Sequence, residues 1–513
     1  MRWSCWAAGL TAVLAMLATS GFVGGEEILI GVEYALEGRA HVFAGLGIPA
    51  VKHLPELVAW GKMQPSSDAP IDFSKMDAFV REYHEAGFRE IVLGLKSLSQ
   101  WASKAPRKDL TPKPEYIALY ENWIRSIVER YDADGREDMP GLKRPVRIFE
   151  IGVELSAYEP EPVADYLAML EKAYRAAHAA SDKVLIAHAA FLPTTAFLGM
   201  RRADRDTEAY RAAVQKKLDA RLDDMRVVLT RPELFDLVNF HALGDPYEIE
   251  FTVGWIRQQT KRWPRPKPIL ISDTSPNGLI GWGPATTAEG HPARLGIIAP
   301  PGTEMDRPRL AAFFRKLVDG DEAALQWAHT FVAEDMVKKV VIAAEQDVML
   351  INTSFTEDLP LLQTKLFMAG AGLSAWGGMV KLQRKPFRNE WTVQEYRPAF
   401  YAVRQLQAHL HGYNKVERIN AGGDRICLYR FERQGRSLWV AWFEPEKLVL
   451  LGDPVPTRRA FLPIHASQVV IENMIHRHGQ TEPERQTQTL NKAGGLPLEL
   501  TPRPVFVLTD RDA

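Results

Sequence analysis

The chain predicts an α/β fold, a (β/α)8 TIM barrel followed by a small all-β sandwich, on three observations. Strand-like apolar runs alternate with helical segments about eight times over nearly 390 residues, which implies a parallel sheet with helices outside it. No glycine-rich dinucleotide fingerprint follows the first strand, which favours a closed barrel over a doubly wound sheet. From about Gly412 short strands follow one another without intervening helices, as in a sandwich.

The elements follow in order. GVEYA ends the first strand and GIPAVKHL supplies the second. A helix begins near Asp72, with Met76, Phe79, Val80 and Tyr83 at helical spacing and Gly87 as its stop. EIVLGL (90–95) is the third strand, and Tyr116, Tyr120, Trp123 and Ile127 mark the next helix. VRIFEIGVE is the fourth strand, after which Pro162 opens a helix with Val163, Tyr166, Leu167, Leu170, Tyr174 and Ala177 on one face. KVLIAH (183–188), FDLVNFH (235–241) and PILISD (268–273) are strands five to seven, and VMLINTSF (348–355) is the eighth, preceded by a helix near Gln326 to Ala344. The Gly- and Pro-rich stretch from Thr274 to about Asp319 reads as an insertion after the seventh strand. RICLYRFE, QGR and SLWVAWFE form a hairpin, with VVIENM and PVFVLT as further strands. The expected division is 1–25 signal peptide, 26–412 barrel and 413–513 sandwich.

The 513 residues are 46% hydrophobic and 25% charged, with a formal net charge of -1, which argues against a nucleic-acid protein. Arg2, an apolar stretch from Trp6 to about Leu17, too short to span a bilayer, and small residues after it read as a secretory signal cleaved near Ser20 to Gly25, with a signal-anchor as the alternative. The expected location is secreted or periplasmic, with no stable membrane span after signal removal. Of the 2 cysteines only Cys427 lies beyond that segment, so the remaining chain has no internal disulfide and no cysteine metal cage. No HExxH, EF-hand loop or P-loop is present, so no metal or cofactor is expected. HRH at 476–478 reads as a surface group rather than a ligand set.

Chemistry in such a barrel sits where strands end and loops begin. Glu154 ends the fourth strand, His188 the fifth, His241 the sixth and Asp273 the seventh. Strand alternation places Glu150, Gly152 and Glu154 on one face. A lone strand-end carboxylate can simply cap a helix or pair with an arginine. Two of them over one mouth are the minimal equipment for glycoside hydrolysis: one protonates the leaving oxygen while the other attacks the anomeric carbon or activates water.

FEIGVEL with the helix after it resembles the FE-aliphatic-W-N-E-P stretch of clan A glycoside hydrolases, closest in style to family 39. KPILISDTSP looks like that family's nucleophile strand, and FDLVNFHAL is similar to its sixth strand, which ends in a histidine. ELVAWGKMQP, VKKVVIAAEQDVMLINTSFTED and YRPAFYAVRQLQAHL match in order, so the resemblance runs over most of residues 28 to 510. It implies that Glu154 is the acid/base and Asp273 the nucleophile, with Glu150 a buried, paired structural group. Val153 stands where the family has the asparagine that contacts the sugar, Gly152 where it has tryptophan, and Asp273 where it has glutamate. The shorter aspartate loses about 1.5 Å of reach, which would widen the gap between the carboxyls toward the inverting range of roughly 6.5–9.5 Å.

Supporting residues keep two readings each. Glu33 either binds substrate hydroxyls or holds a loop through an arginine, and Lys96 either orients a carboxylate, binds an acidic sugar or is a solvated lysine. His188 and His241 are sugar contacts or satisfied structural groups. Trp60, Trp101, Trp282 and Trp376 stack on sugar faces or fill core, and Asn352 sits near the end of strand eight. The sequence thus points to an exported glycosidase with a carbohydrate substrate. The alternatives are a carbohydrate-binding descendant without turnover, or a structural component of an envelope polysaccharide assembly.

Overall fold

A computed structural model describes residues 27–104, 111–155, 161–193, 196–197, 219–281, 296–353, 372–385, 390–413, 415–421, 425–433, 436–464, 466–490 and 495–509. The signal segment and Trp282 lie outside the described residues.

Eight parallel strands form the barrel: β1 (Leu29–Ala35), β2 (Ala50–His53), β3 (Glu90–Leu95), β4 (Ile148–Glu154), β5 (Leu185–Ala190), β6 (Val238–Ala242), β7 (Ile269–Thr274) and β8 (Val348–Thr353). They neighbour one another in the order β5-β4-β3-β2-β1-β8-β7-β6. Parallel bridges Ala187–Leu237 and Phe191–Phe240 close the ring between β5 and β6. All eight expected strands are therefore present.

Helices α1 (Ser74–Glu85), α2 (Ile117–Tyr131), α3 (Val163–Ala180), α4 (Asp219–Leu229), α5 (Glu248–Thr260), α6 (Arg307–Val318) and α7 (Glu322–Glu345) intervene between strands, and α8 (Pro398–Leu410) follows β8. Their form follows from the sequence. α1 buries Met76, Phe79, Val80 and Tyr83, the face its periodicity specifies, and Gly87 at φ 100° ends its turn. Asp321 caps α7 by accepting the Ala324 amide. The stretch after β7 is not bare loop, since α6 lies within it. An antiparallel ribbon, β9 (Val380–Arg384) with β10 (Trp391–Tyr396), stands between β8 and α8.

The barrel interior changes character along its axis. Its lower layer is apolar: Ala50, Val92, Ile148, Ala187, Leu237, Leu270 and Leu350 pack together. One pleat higher, on the same faces, come Lys52, Glu150, Asn239, Ser272 and Asn352, all buried. The alternate residues of these strands, such as Val51, Leu93, Phe149, Ile186, Phe240 and Ile271, face the helices in the main apolar core. The polar layer thus sits at the strands' C-terminal ends on an apolar floor.

Six antiparallel strands, β11 (Lys415–Arg418), β12 (Ile426–Arg433), β13 (Arg436–Phe443), β18 (Val505–Thr509), β15 (Gln468–Asn473) and β16 (Arg485–Thr489), form one sheet in that order. β14 (Arg458–Leu462) pairs with β17 (Leu496–Leu500) in a second. Ile426, Leu428, Trp439 and Ala441 join Leu462, Leu496 and Leu500 in the core between the two sheets. The alternate residues Cys427, Tyr429, Phe431, Val440 and Trp442 belong to the barrel's core cluster. Among the described residues no helix is long and apolar enough to cross a membrane.

Candidate active site

Strict alternation does not survive at the barrel mouth. Between Ile151 and Glu154, β4 holds one more residue than β5 opposite, because Glu154 pairs with Ala190 and Ile151 with His188. Gly152 takes φ 80° there, a left-handed conformation that glycine adopts without steric cost. This bulge corrects the expected 150-152-154 face. Val153 now lines the cavity at the mouth, and Glu154 still reaches inward to His241. Similar irregularities interrupt β1 between Val32 and Ala35, where Tyr34 sits at φ 54°, and the β6–β7 register between Phe240 and His241. Bulges re-aim side chains next to active sites, and here they occur on the strands that carry Glu33, Glu154 and Asp273.

A chain of ionisable groups crosses the mouth. His241 on β6 is fully buried, with Nδ1 3.1 Å from Glu154 Oε1 and Nε2 3.1 Å from Ser272 Oγ. The Ser272 hydroxyl donates to Glu150 Oε1 (3.3 Å), which also accepts Asn239 Nδ2 (2.9 Å). Lys52 Nζ lies 2.7 Å from the other oxygen of Glu150. Burial works against the Glu150 charge, yet Lys52 and His241 hold its carboxyl down at about 2. Burial likewise opposes a charged His241, but Asp273, Glu150 and Glu154 raise it to about 9. The imidazole is therefore doubly protonated at neutral pH and donates from both nitrogens. Lys52 too is buried, and Glu150, Asp273 and Glu33 keep its ammonium above its usual value despite that burial.

Asp273, 8% exposed, accepts the Tyr34 hydroxyl at 3.3 Å. With Glu33, Tyr34, Lys52, His53, Pro55 and Val153 it encloses a cavity of about 20 Å³, room for a water but not a sugar ring. His53 in its wall is neutral: burial, then the neighbouring Lys52 charge, depresses it to about 3.

The expected residues thus divide. Asp273 and Glu33 line that cavity, whereas Glu154 and His241 do not line it and meet each other at 3.1 Å. Asn352 lies below them, fully buried, donating to Ser272 O at 3.0 Å. Gly31 makes room for it, since a Cβ there would lie 2.1 Å from Asn352 Oδ1. His188 is a structural group: Nδ1 donates to Ala189 O (2.7 Å), Nε2 accepts the Asn239 amide (3.2 Å), and burial depresses it to about 4. Trp60 is sealed among Trp101, Tyr120 and Trp123 and donates to Gln64 Oε1. Trp101 donates to Gln64 O, and Trp376 packs in a satellite core with Phe314. These tryptophans fill core rather than face the cavity. Lys96, half-buried past β3, does not line the cavity, and its carbonyl accepts the Trp60 amide. Sequence reasoning missed Lys52 and Tyr34. For Lys52 the signal was available, a lysine inside the apolar run AVKH. HRH is not a free surface group, since His478 Nε2 meets buried His329 Nδ1 at 2.9 Å.

Among the described residues, those able to gather oxygen ligands around a metal ion are Asp132, Asp134 and Asp138, on the loop between α2 and β4 at the barrel's opposite face. Their carboxylates accept amides of their own loop, at Ala133, Asp134, Gly135 and Arg136.

No protein-family model and no curated protein sequence matches the chain. Among solved structures it is similar to a family 39 glycoside hydrolase from Xanthomonas axonopodis pv. citri, at TM-score 0.52 and 12% identity over 94% of this chain and 93% of that one. It is also similar to a monomeric β-xylosidase from Caulobacter crescentus CB15, at TM-score 0.51 and 13% identity over 95% and 97%. A family 30 endoxylanase from Clostridium papyrosolvens C71 matches at TM-score 0.50 and 9% identity over 94% and 97%. Such low identities establish the fold, and their spread over families does not single out family 39. The chain has the (β/α)8-barrel and β-sandwich fold of the clan A glycoside hydrolases.

Proposed function

We propose that the protein is an exported glycosidase acting on a poly- or oligosaccharide, with Glu154 as general acid/base and Asp273 as nucleophile or as base for water. The observation that carries this reading is His241. Sealed in the barrel, it is hydrogen-bonded to Glu154 on β4 and feels the charge of Asp273 on β7. His241 thus touches one carboxyl and responds to the charge of another on a separate strand, and a pair of carboxyls is what cleavage of an acetal between an acid and a base uses. The Nδ1–H, 3.1 Å from Glu154 Oε1, orients the Glu154 carboxyl, which gives its proton to the leaving oxygen and regains one from the water it then activates. Tyr34 fixes the rotamer of Asp273 through its hydroxyl. Export follows from the signal-like segment at 1–25.

A second reading has its own support. Val153 presents an apolar wall beside Asp273, where the resembled family has an asparagine that contacts the sugar. A protein that binds glycans without turnover would tolerate that change. Glu154→Gln and Asp273→Asn, assayed on a glycan panel, separate the two. The glycosidase reading expects turnover by the unmutated protein and losses of roughly 10²–10⁴-fold in each variant, with binding kept. Binding without turnover by the unmutated protein would establish the second reading instead.

A further inference from the structure

We propose that Glu33 and Asp273 work as one acid pair sharing a single proton, with Glu33 the proton-bearing partner that positions Asp273. The positioning role rests on the glycosidase reading; the pairing itself does not.

The bulged ends of β1 and β7 aim both carboxyls into the same small cavity. Glu33 is 1% exposed, and among the described residues neither of its oxygens has a hydrogen-bond partner. Asp273 lines the same cavity and acts on Glu33 as a like charge. Two ionised carboxylates are both acceptors, so their contact becomes a hydrogen bond only when one carries a proton. The choice between them is set by surroundings. Asp273 is the more exposed, accepts the Tyr34 hydroxyl and interacts with the charges of His241 and Lys52. Glu33 has burial first, then Asp273, and Glu150 against it, with Lys52 in its favour, and is held well above the ordinary carboxylate range. His53, in the same cavity, is neutral and adds no charge.

Two consequences follow. A raised acid contributes stability that is fully present below its unfolded value and is lost as pH rises through its folded value. Glu33 therefore costs the fold stability at neutral pH, the pattern of a residue kept for a task rather than for packing. Second, ionising Glu33 sets two like charges side by side and displaces Asp273, so Glu33 governs the alkaline limb of the reaction.

Carboxyl infrared spectra of the full chain test the pair. A protonated-carboxyl band is expected at neutral pH, absent in Glu33→Gln and titrating at lower pH in Asp273→Asn, where the opposing charge is gone. No such band in the unmutated protein would overturn the pair. If Glu33→Gln fails to fold, the Asp273→Asn titration decides alone. For the positioning role, Glu33→Gln, which keeps a donor but cannot ionise, should move the alkaline limb of kcat up by about one pH unit or more. Glu33→Ala should lose roughly 10- to 100-fold in kcat, as for a hydrogen bond to a charged group. An alkaline limb unmoved in Glu33→Gln overturns the role. Absence of turnover on every glycan removes the role together with the glycosidase reading, while the band still decides the pair.

Discussion

Lys52 shows how one side chain sets the state of the mouth. Its ammonium is buried 2.7 Å from Glu150 and interacts with Glu33 and Asp273. Removing one partner of a buried ion pair leaves the other charge uncompensated, which costs about 3–5 kcal/mol. Lys52→Met should destabilise the protein by that amount in denaturant titrations, and adding Glu150→Gln should recover part of the loss. Loss in the double variant equal to that in the single would mean Glu150 is compensated without Lys52. The pH dependence has a definite sign. Glu150 is depressed from its ordinary 4.5 to about 2, so the stability it contributes is present above the ordinary value and disappears as pH falls through about 2. Lys52→Met should shift acid unfolding upward into that window.

At the scale of elements, the strands were legible and their ends were not. Alternation and apolar runs located β1 to β8 because each strand buries both faces, one against the helices and one in the barrel. The same alternation misassigned the Gly152–Val153 segment, since a bulge inserts one residue without an apolar or polar signature of its own. The strand-end placement of Glu154 and Asp273 was legible because an acid ending a buried run needs a reason. Tyr34 was not, because its role depends on a left-handed backbone that no sequence pattern announces. For His188 the sequence left two readings open, because its partners are backbone groups, invisible in side-chain chemistry. Gly152→Ala tests the bulge. Its added Cβ would lie 3.2 Å from Ala189 Cβ, at a φ costing a non-glycine residue about 1–2 kcal/mol. The variant should lose at least that much stability and draw Glu154 away from His241. Ring-nitrogen NMR should then place the His241 titration below the about 9 that its contacts now sustain. An unchanged titration would show that the bulge does not hold Glu154.

For the whole molecule, the question is whether barrel and sandwich stand or fall together. β12 and β13 bury one face in their own sandwich and the other, with Cys427, Tyr429 and Trp442, in the barrel's core. Polar pins cross the same boundary. Trp442 Nε1 donates to Tyr247 OH at 2.7 Å, and that hydroxyl donates to Glu444 at 2.6 Å. Glu472 accepts Gln405 and pairs with His409 on α8, each at 2.7 Å, and Arg503 pairs with Glu334 on α7 at 3.1 Å. An apolar face this continuous cannot be uncovered without unfolding both sides. Calorimetry should therefore show one transition, with calorimetric and van't Hoff enthalpies equal. Trp442→Ala should cost about 3–5 kcal/mol and lower that single transition as a unit, monitored by tryptophan fluorescence and by far-UV dichroism. A lower transition confined to the C-terminal strands, with the barrel still folded above it, would show that the shared core does not couple the two.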